Sequence, residues 1–422
     1  MHKRRIVALG IAIIVLVVGI LYALTQGGNA NNNGPSSNQQ GGNNSSMLPS
    51  APPKVDPIAE QLKEMSLEEK VGQLVIVGTD GYEINENTQR LIQTYHVGGF
   101  ILFQKNIRDT QQMLDLVNSL KKTNAINEVP LFLALDEEGG RVSRMPAELR
   151  RMPSSQKVGK QNDSDLATRV GVVLGQELKV FGMNVNFAPV LDIFSNPQNT
   201  VIGDRALGST PELVSELGIQ SMKGIQAQNI IPVVKHFPGH GDTTVDSHVG
   251  LPKVDYDLER LQSFELIPFS EAIAHDADAI MLAHILIPQL DPEYPASLSK
   301  TLISDILRED MKFEGVVFTD DMTMGAILEN YEIGEAAVKS LQAGSDIVLI
   351  CHDFVQEEAA LQAILAAART GVISSDRIDE SVYRVLALKK KYGLSNQSVE
   401  SVDVQGINAE ITKLYEDYPA LR

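Results

Sequence analysis

The densest set of reactive side chains in the chain lies in the segment Lys235–His248, with the sequence KHFPGHGDTTVDSH. It contains three of the eight histidines, two aspartates and two glycines. In an extended stretch, residues two apart face the same side, so Asp246 and His248 can form a carboxylate–imidazole pair. Such a pair orients the ring and raises its basicity, which makes the histidine a proton-transfer group. The alternative is that these residues are solvated parts of a loop.

Other polar residues stand at the ends of short apolar runs. Asp136 ends one run in LALDEEGGRVSR, Asp192 ends another in NFAPVLDI, and VVFTDDMTM contains Asp320 and Asp321. A further run carries His284. We expect Asp192 to brace a loop and His284 to be a hydrogen-bonded histidine near the core, because buried polar residues are usually paired. If the runs are parallel strands of one barrel, these polar residues all lie at the same end of that barrel.

The spacing of the runs predicts such an arrangement. From Asp56 onward, short apolar runs alternate with segments of helical periodicity, as in parallel strands joined by crossover helices. The eight predicted strands are Gln73–Gly78, Gly98–Phe103, Leu131–Asp136, Asn184–Asp192, Ile230–Phe237, Ala279–Ile285, Gly315–Asp320 and Asp346–Cys351. They indicate an α/β fold, a (β/α)8 TIM-type barrel with its chemistry at the carboxyl ends of the strands. An open doubly wound sheet is the alternative, although no GxGxxG follows the first strand. One helix is predicted over Leu258–His275.

The composition limits the class of protein. Of the 422 residues, 43% are apolar, which excludes a disordered or collagen-like chain. A formal net charge of −18 would repel a polyphosphate, so no nucleic acid partner is expected. Cys351 is the only cysteine, which excludes an intramolecular disulfide and thiolate metal clusters. We predict no cofactor and no metal site.

The N-terminus predicts export and anchoring. Lys3, Arg4 and Arg5 precede Ile6–Leu24, an uncharged apolar stretch long enough to span a bilayer. Because positive charges stay cytoplasmic, everything after residue 25 should lie outside the membrane. We expect residues 1–25 to be a signal anchor, or a signal peptide if they are cleaved. The protein would then be extracytoplasmic and membrane-anchored, or secreted.

Two segments flank the predicted barrel, which covers residues 56–394. Residues 26–55 are rich in Gly, Asn, Ser, Gln and Pro and carry almost no charge, which is typical of a disordered linker. Residues 395–422 are too few to form a second core. We predict that they are a C-terminal tail and that the active site is complete within the barrel.

Four motifs, in the order DEEGGRVSR, VIGDRALG, KHFPGHGDTTVDSH and FTDDMTM, resemble a known family. They are similar to the catalytic domain of glycoside hydrolase family 3, specifically its β-N-acetylglucosaminidase branch, over about residues 57–394. The resemblance implies a retaining exo-enzyme that forms a covalent glycosyl-enzyme. Its substrate would be terminal β-linked N-acetylglucosamine of cell-wall muropeptides or related glycosides. The lack of Trp agrees with a small pocket that holds one sugar through polar contacts.

The resemblance also implies roles for individual residues. Asp320 matches the nucleophile, and Asp321 is its structural neighbour. His248 and Asp246 match the acid/base dyad of this branch. The residues that match sugar-binding positions are Asp136, Arg144, Arg205, Lys235 and His236. The chain departs from many members of the family at Glu137, where they carry glutamine.

Three other functions remain open from the sequence. A metal-dependent barrel hydrolase would use as ligands His236, His240, His248, His284 and Asp320. A non-catalytic cell-wall binding protein would need no nucleophile. A phosphorolytic variant of the glycosidase is the third, because a neutral imidazole base repels an approaching phosphate less than a carboxylate does.

Overall fold

The computed structural model of the protein describes residues 56–243, 246–247 and 250–422, and residues 55–422 form one compact unit. The predicted anchor at 1–25 and the predicted linker at 26–55 lie outside the described residues, as does His248. Within the described ranges, no helix combines the length and the apolar character that a membrane crossing requires.

Within the described part of the chain, nine parallel strands form one sheet. They are β1 (Val75–Val77), β2 (Gly99–Ile101), β3 (Phe132–Leu135), β4 (Val185–Asn186), β5 (Ile231–Pro232), β6 (Val234–Phe237), β7 (Ala279–Leu282), β8 (Val316–Asp321) and β9 (Ile347–Ile350). Their spatial order is β5, β4, β3, β2, β1, β9, β8, β7, β6. Because β5 and β6 are parts of the single run 231–237, the order returns to its starting run and the sheet curves into a barrel. This confirms the predicted (β/α)8 type, and the alternative of an open doubly wound sheet is wrong.

Helices follow the strands along the chain. They are α1 (Pro57–Glu64), α2 (Leu67–Gln73), α3 (Glu86–Gln93), α4 (Thr110–Thr123), α5 (Ser155–Gly159), α6 (Ser164–Lys179), α7 (Pro211–Gln226), α8 (Leu258–Ser263), α9 (Ile267–Ala274), a π-helix (Thr301–Asp310), α10 (Gly325–Leu328), α11 (Ile333–Ala343), α12 (Phe354–Arg369), α13 (Ser375–Lys391) and α14 (Val404–Asp417). The prediction of one helix over Leu258–His275 is wrong. Pro268 lies in the first turn of α9, and its ring would clash with the carbonyl of Phe264 in a continuous helix.

The inside of the barrel is filled by every second residue of the strands, as the two-residue period of a strand requires. Phe318 on β8 lies among them, with its ring centroid 6.2 Å from that of Phe132 and 5.9 Å from that of Phe187. Both pairs are edge-to-face, which adds to the energy of apolar burial. The other strand residues in this cluster are Ile76, Ile101, Ala134, Val185, Ile231, Ala279, Met281, Val316, Ile347 and Leu349.

The same alternation positions the polar residues above this core. Since Phe318 faces the interior, Asp320 two residues later faces it too, at the carboxyl end of β8. The pairing of β8 with β9 is irregular between Phe318 and Asp321, so the alternation does not fix the face of Asp321. The same two-residue step from interior residues places Asp136 beyond β3 and Lys235 on β6. Three charged residues therefore stand over the apolar core of the barrel.

Phe318→Ala should destabilise the barrel by about 4 kcal/mol, because it removes a fully buried ring and leaves a cavity between two aromatic neighbours. Phe318→Leu keeps most of the volume and should cost less than about 1.5 kcal/mol. The free energy of unfolding from urea titrations compares the two variants with the wild type. Equal losses for both variants would contradict this account of the core.

Candidate active site

A cavity of about 310 Å³ opens at the carboxyl ends of the strands. Six of the eight residues predicted for the site line it, namely Asp136, Arg144, Arg205, Lys235, His236 and Asp320. Asp136 follows β3, Lys235 and His236 lie on β6, and Asp320 lies on β8. Arg205 ends a short 3₁₀ helix, Gly203–Arg205. Elements far apart in sequence thus bring the predicted residues to one site.

Two cations and two carboxylates form a network on one wall of the cavity. The Lys235 ammonium lies 2.6 Å from Asp136 Oδ1 and 2.7 Å from Glu138 Oε1. Arg205 donates two hydrogen bonds to Glu138, from Nε to Oε2 and from Nη2 to Oε1, both at 2.8 Å. Paired charges of this kind are strong and fixed in direction, so the wall presents a rigid set of hydrogen-bonding groups.

Lys235 and Glu138 remain charged in spite of their burial. Burial alone would lower the pKa of Lys235, but Asp136 and Glu138 outweigh it and raise the pKa above its ordinary value. Burial would raise the pKa of Glu138, yet Arg205 and Lys235 hold it far below the usual range. Sequence reasoning missed Glu138. The signal was the second glutamate of DEEGG, which directly follows a residue assigned to the site.

Asp192 braces one end of the cavity, as expected. Its Oδ2 lies 2.6 Å from His236 Nδ1, and its Oδ1 accepts a hydrogen bond of 2.6 Å from the His240 backbone N–H. Burial would raise the pKa of Asp192, but the two histidines lower it. Since a carboxylate only accepts, His236 carries its proton on Nδ1. His236 Nε2 lies 3.4 Å from Arg205 Nη2.

The two neighbouring aspartates on β8 differ in their contacts. Both line the cavity, and Asp320 Oδ1 accepts a hydrogen bond of 2.8 Å from the Asp321 backbone N–H. Burial would raise the pKa of Asp320, but the nearby His284, His236 and that N–H outweigh it and hold the pKa below its ordinary value. Asp320 is therefore an ionised carboxylate that faces the cavity.

The Asp321 carboxylate, in contrast, accepts hydrogen bonds from neighbouring residues of the protein. Its Oδ1 accepts hydrogen bonds from the Thr323 N–H at 2.9 Å, the Thr323 hydroxyl at 2.7 Å and the Cys351 N–H at 3.0 Å. These contacts tie the ends of β8 and β9 together. The contacts favour Asp320 over Asp321 as the residue that can react with a bound molecule.

His240, His284 and His352 also lie near the cavity and contact other groups of the protein. His352 lines the cavity, with Nε2 3.6 Å from Asp321 Oδ2. His240 is buried next to Thr243, whose hydroxyl lies 2.7 Å from Nδ1, and burial lowers the pKa of His240 to about 4. His284 is buried as well, with Nδ1 2.7 Å from the Ser297 hydroxyl and Nε2 3.0 Å from the Asp321 carbonyl oxygen. The expectation of a hydrogen-bonded histidine near the core is met. Among the described residues, no three His, Cys, Asp or Glu side chains are grouped to hold a metal ion.

The loop predicted to carry the acid/base dyad reaches the cavity through Ser247. The Ser247 carbonyl oxygen accepts a hydrogen bond of 3.0 Å from the Ala326 N–H on α10, and the Asp246 carbonyl oxygen accepts one of 3.1 Å from the Gly250 N–H. Asp246 is partly exposed and does not line the cavity. His248 lies outside the described residues, so its pairing with Asp246 stays a prediction.

Comparisons with known proteins agree with this geometry. The sequence profile of the glycosyl hydrolase family 3 N-terminal domain matches residues 66–388. Beta-hexosaminidase A of Pseudoalteromonas piscicida is 35% identical over 334 residues, which are 73% of this chain and 56% of that protein. A beta-hexosaminidase of Idiomarina loihiensis is 33% identical over 297 residues, which are 69% of this chain and 88% of that protein. The chain thus spans little more than half of the first relative and most of the second.

Two solved structures have the same fold. A family 3 beta-N-acetylglucosaminidase of a Paenibacillus species superposes with a TM-score of 0.79 at 41% identity, over 83% of this chain and 68% of that one. A beta-N-acetylhexosaminidase of Beutenbergia cavernae gives 0.73 at 29% identity, over 78% of this chain and 99% of that one. The matched region contains the barrel and its cavity. The chain therefore belongs to glycosyl hydrolase family 3, a family of glycoside hydrolases, as its four motifs predicted.

Proposed function

We propose that this protein is a retaining exo-β-N-acetylglucosaminidase that releases terminal β-linked N-acetylglucosamine. The observation that carries the proposal is the small cavity in which the ionised Asp320 carboxylate lies beside a wall of paired charges. Its volume of about 310 Å³ is at the small end of ligand pockets, which fits one sugar residue rather than a long glycan. The names of the relatives, beta-hexosaminidase and beta-N-acetylglucosaminidase, support the same substrate class.

The charged wall would bind the hydroxyl groups of the sugar. Asp136 and His236 can accept hydrogen bonds, and Arg144, Arg205 and Lys235 can donate them. A site of buried, paired polar groups rejects a molecule that lacks the matching hydroxyl, because the site would then be left with unsatisfied groups. The apolar residues that line the same cavity, among them Phe187 and Met281, offer a surface for the methyl group of the acetamido substituent.

Asp320 would act as the nucleophile. Its carboxylate attacks the anomeric carbon, the bond to the leaving oxygen breaks, and a covalent glycosyl-enzyme forms. A proton must reach the leaving oxygen in this step, and water must lose one when it releases the sugar in the second step. We assign both transfers to His248, with Asp246 as the carboxylate that orients its ring. The support is the position of this loop, which lines the cavity through Ser247, and the partners that His236, His240 and His284 already have. His352 also lines the cavity, with Nε2 3.6 Å from Asp321 Oδ2, and its replacement by alanine tests whether it shares this role.

We further propose that the enzyme acts outside the cytoplasm on cell-wall muropeptides or related glycosides, held to the membrane by residues 1–25 through the linker at 26–55. The basic residues, apolar stretch and polar linker of the N-terminal sequence support this location. The acidic net charge of −18 supports a carbohydrate partner rather than nucleic acid.

The full-length protein should therefore cleave an aryl β-N-acetylglucosaminide far faster than the corresponding β-glucoside, with no added cofactor. Proton NMR of the first product should show the β-anomer, because two displacements at one carbon restore its configuration. An α-anomer as the first product would rule out the covalent mechanism. Loss of activity in a chelator, with return on addition of metal, would support the metal-dependent hydrolase instead. A sugar 1-phosphate formed in phosphate buffer would identify the phosphorolytic variant.

A further inference from the structure

Arg141 is a partly exposed arginine that binds the backbone of a loop beside the cavity, residues 200–205. Its Nη2 atom donates its two protons to three successive carbonyl oxygens, at 2.9 Å from Thr200, 2.7 Å from Val201 and 3.1 Å from Ile202. Its Nε atom lies 2.8 Å from Asp204 Oδ1. Three carbonyl dipoles that point to one place repel one another, so this conformation of the loop needs a positive charge where they meet. Arg141 supplies that charge and is not one of the residues that line the cavity.

The 200–205 loop presents Arg205 to the cavity. The Arg205 backbone N–H donates to the Ile202 carbonyl oxygen at 2.9 Å, and Arg205 Nη1 donates to the Val201 carbonyl oxygen at 3.3 Å. Arg141 binds the same two carbonyl oxygens, so the two arginines share their acceptors. Gly203 lies between these residues with a φ of 46°, in the left-handed region that glycine adopts without strain, and this lets the chain turn toward the cavity. The backbone that Arg141 binds is therefore the backbone that directs Arg205.

A tight turn after β3 joins Arg141 to the charged wall of the cavity. The Glu138 N–H donates to the Val142 carbonyl oxygen at 3.0 Å, and the Val142 N–H donates to the Gly139 carbonyl oxygen at 3.2 Å. Glu138 at the start of this turn binds the Arg205 guanidinium, and Arg141 near its end binds the 200–205 backbone. The turn thus contacts the loop at two places. Because the Arg141 side chain is 47% exposed, its ion pair should contribute little to the stability of the barrel.

We propose that Arg141 is a positioning residue for sugar binding, which fixes the direction of the Arg205 guanidinium without touching the substrate. Without Arg141, the three carbonyl oxygens would turn toward water and the 200–205 backbone would no longer hold one conformation. Glu138 would still bind the guanidinium, so Arg205 would keep its charge and lose its fixed position. Its hydrogen bonds to the sugar would weaken in the ground state and the transition state alike, which raises KM more than it lowers kcat. The proposal rests on the proposed function insofar as Arg205 binds the sugar.

The test is a double-mutant cycle between Arg141→Ala and Arg205→Ala in the full-length protein, assayed with an aryl β-N-acetylglucosaminide. Arg141→Ala should raise KM roughly tenfold, about the effect of one charge-assisted hydrogen bond to a hydroxyl group, with a much smaller change in kcat. In the Arg205→Ala background the same substitution should change KM by less than about twofold, because the group through which it acts is already gone. An equal rise in KM in both backgrounds would overturn the proposal, and so would an unchanged KM in Arg141→Ala.

Arg169→Ala is the matched control. Arg169 lies on α6 with 38% of its side chain exposed, and its Nη2 atom is 2.8 Å from Asp417 Oδ2, so the substitution breaks an ion pair of the same length and similar exposure. Arg169 does not line the cavity. Its replacement should leave KM and kcat at the wild-type values. A tenfold rise in KM in this variant would show that the loss of any surface arginine is sufficient and would contradict the assignment to Arg141.

Hydrogen–deuterium exchange gives a readout that needs no substrate. The Arg205 amide N–H, which is bonded to the Ile202 carbonyl oxygen within the loop, should exchange roughly tenfold faster in Arg141→Ala because the loop opens locally. In Arg169→Ala it should exchange at the wild-type rate. If exchange is faster in Arg141→Ala but the wild-type protein does not cleave the glycoside, the proposed function fails and the positioning of the loop by Arg141 stands. If the wild type cleaves the glycoside and exchange is unchanged in Arg141→Ala, the positioning role is overturned, and this holds even where Arg205→Ala does not fold.

Discussion

Asp320→Ala is expected to lower kcat by roughly 10³-fold or more, because removal of a nucleophile abolishes the step on which the rest of the machinery acts. The structure gives Asp320 the properties that this role needs. Its carboxylate faces the cavity above Phe318, and its pKa lies below the ordinary value, so it is ionised at neutral pH. The loss should be the same for activated and unactivated leaving groups, since neither can form a glycosyl-enzyme without this carboxylate.

The matched control is Asp321→Ala, which removes the same group from the next residue. Asp321 binds the Thr323 and Cys351 N–H groups, so its loss should loosen the ends of β8 and β9 and lower the stability more than the chemistry. A 5-fluoro glycosyl donor separates the two effects, because it accumulates the covalent intermediate. The mass of the intact protein should increase by one sugar in the wild type and in Asp321→Ala, and remain unchanged in Asp320→Ala. An adduct that survives in Asp320→Ala would transfer the nucleophile to another residue.

The sequence was sufficient to find the barrel and most of the cavity for a physical reason. Parallel strands buried on both faces are short apolar runs, and each of the eight predicted runs overlaps an observed strand. In β8 the two-residue alternation places Asp320 above Phe318, but Asp321 lines the cavity as well, and only the contacts of the two carboxylates separate their roles. The prediction of one helix over Leu258–His275 was wrong because it used the apolar periodicity of this stretch and did not account for the steric effect of Pro268.

Contacts between segments distant in sequence could not be predicted in this way. Glu138 binds Arg205 and Lys235, residues 67 and 97 positions further along the chain, and no local pattern distinguishes it from a solvated glutamate. The burial of Glu177 could not be predicted either, because a glutamate on a helix is usually a surface residue. Charge networks of this kind can be identified only from the three-dimensional structure, whereas the ends of the strands on which they lie can be predicted from the sequence.

The second large effect is expected from His248→Ala. A histidine that protonates the leaving oxygen matters most when that oxygen is a poor leaving group, so release of a second sugar should slow by roughly 10²-fold or more. Release of an activated phenol needs no proton, and formation of the glycosyl-enzyme from it should be nearly unaffected. The measurement is the ratio of kcat/KM for a disaccharide and for an activated aryl glycoside, because kcat/KM reports the first step and excludes the later attack by water.

His240→Ala is the matched control for this prediction. His240 lies on the same segment and lines the cavity, but burial lowers its pKa to about 4, so at neutral pH it carries no proton that it could donate readily. Its hydrogen bonds to Thr243 and the proximity of Ser247 give it a structural role, and its loss should slow both substrates by a similar factor. A selective loss for the disaccharide in His240→Ala, with equal losses in His248→Ala, would reverse the two assignments.

Asp246→Asn should reproduce the selectivity of His248→Ala in weaker form, since the carboxamide no longer stabilises the charged ring that this step uses.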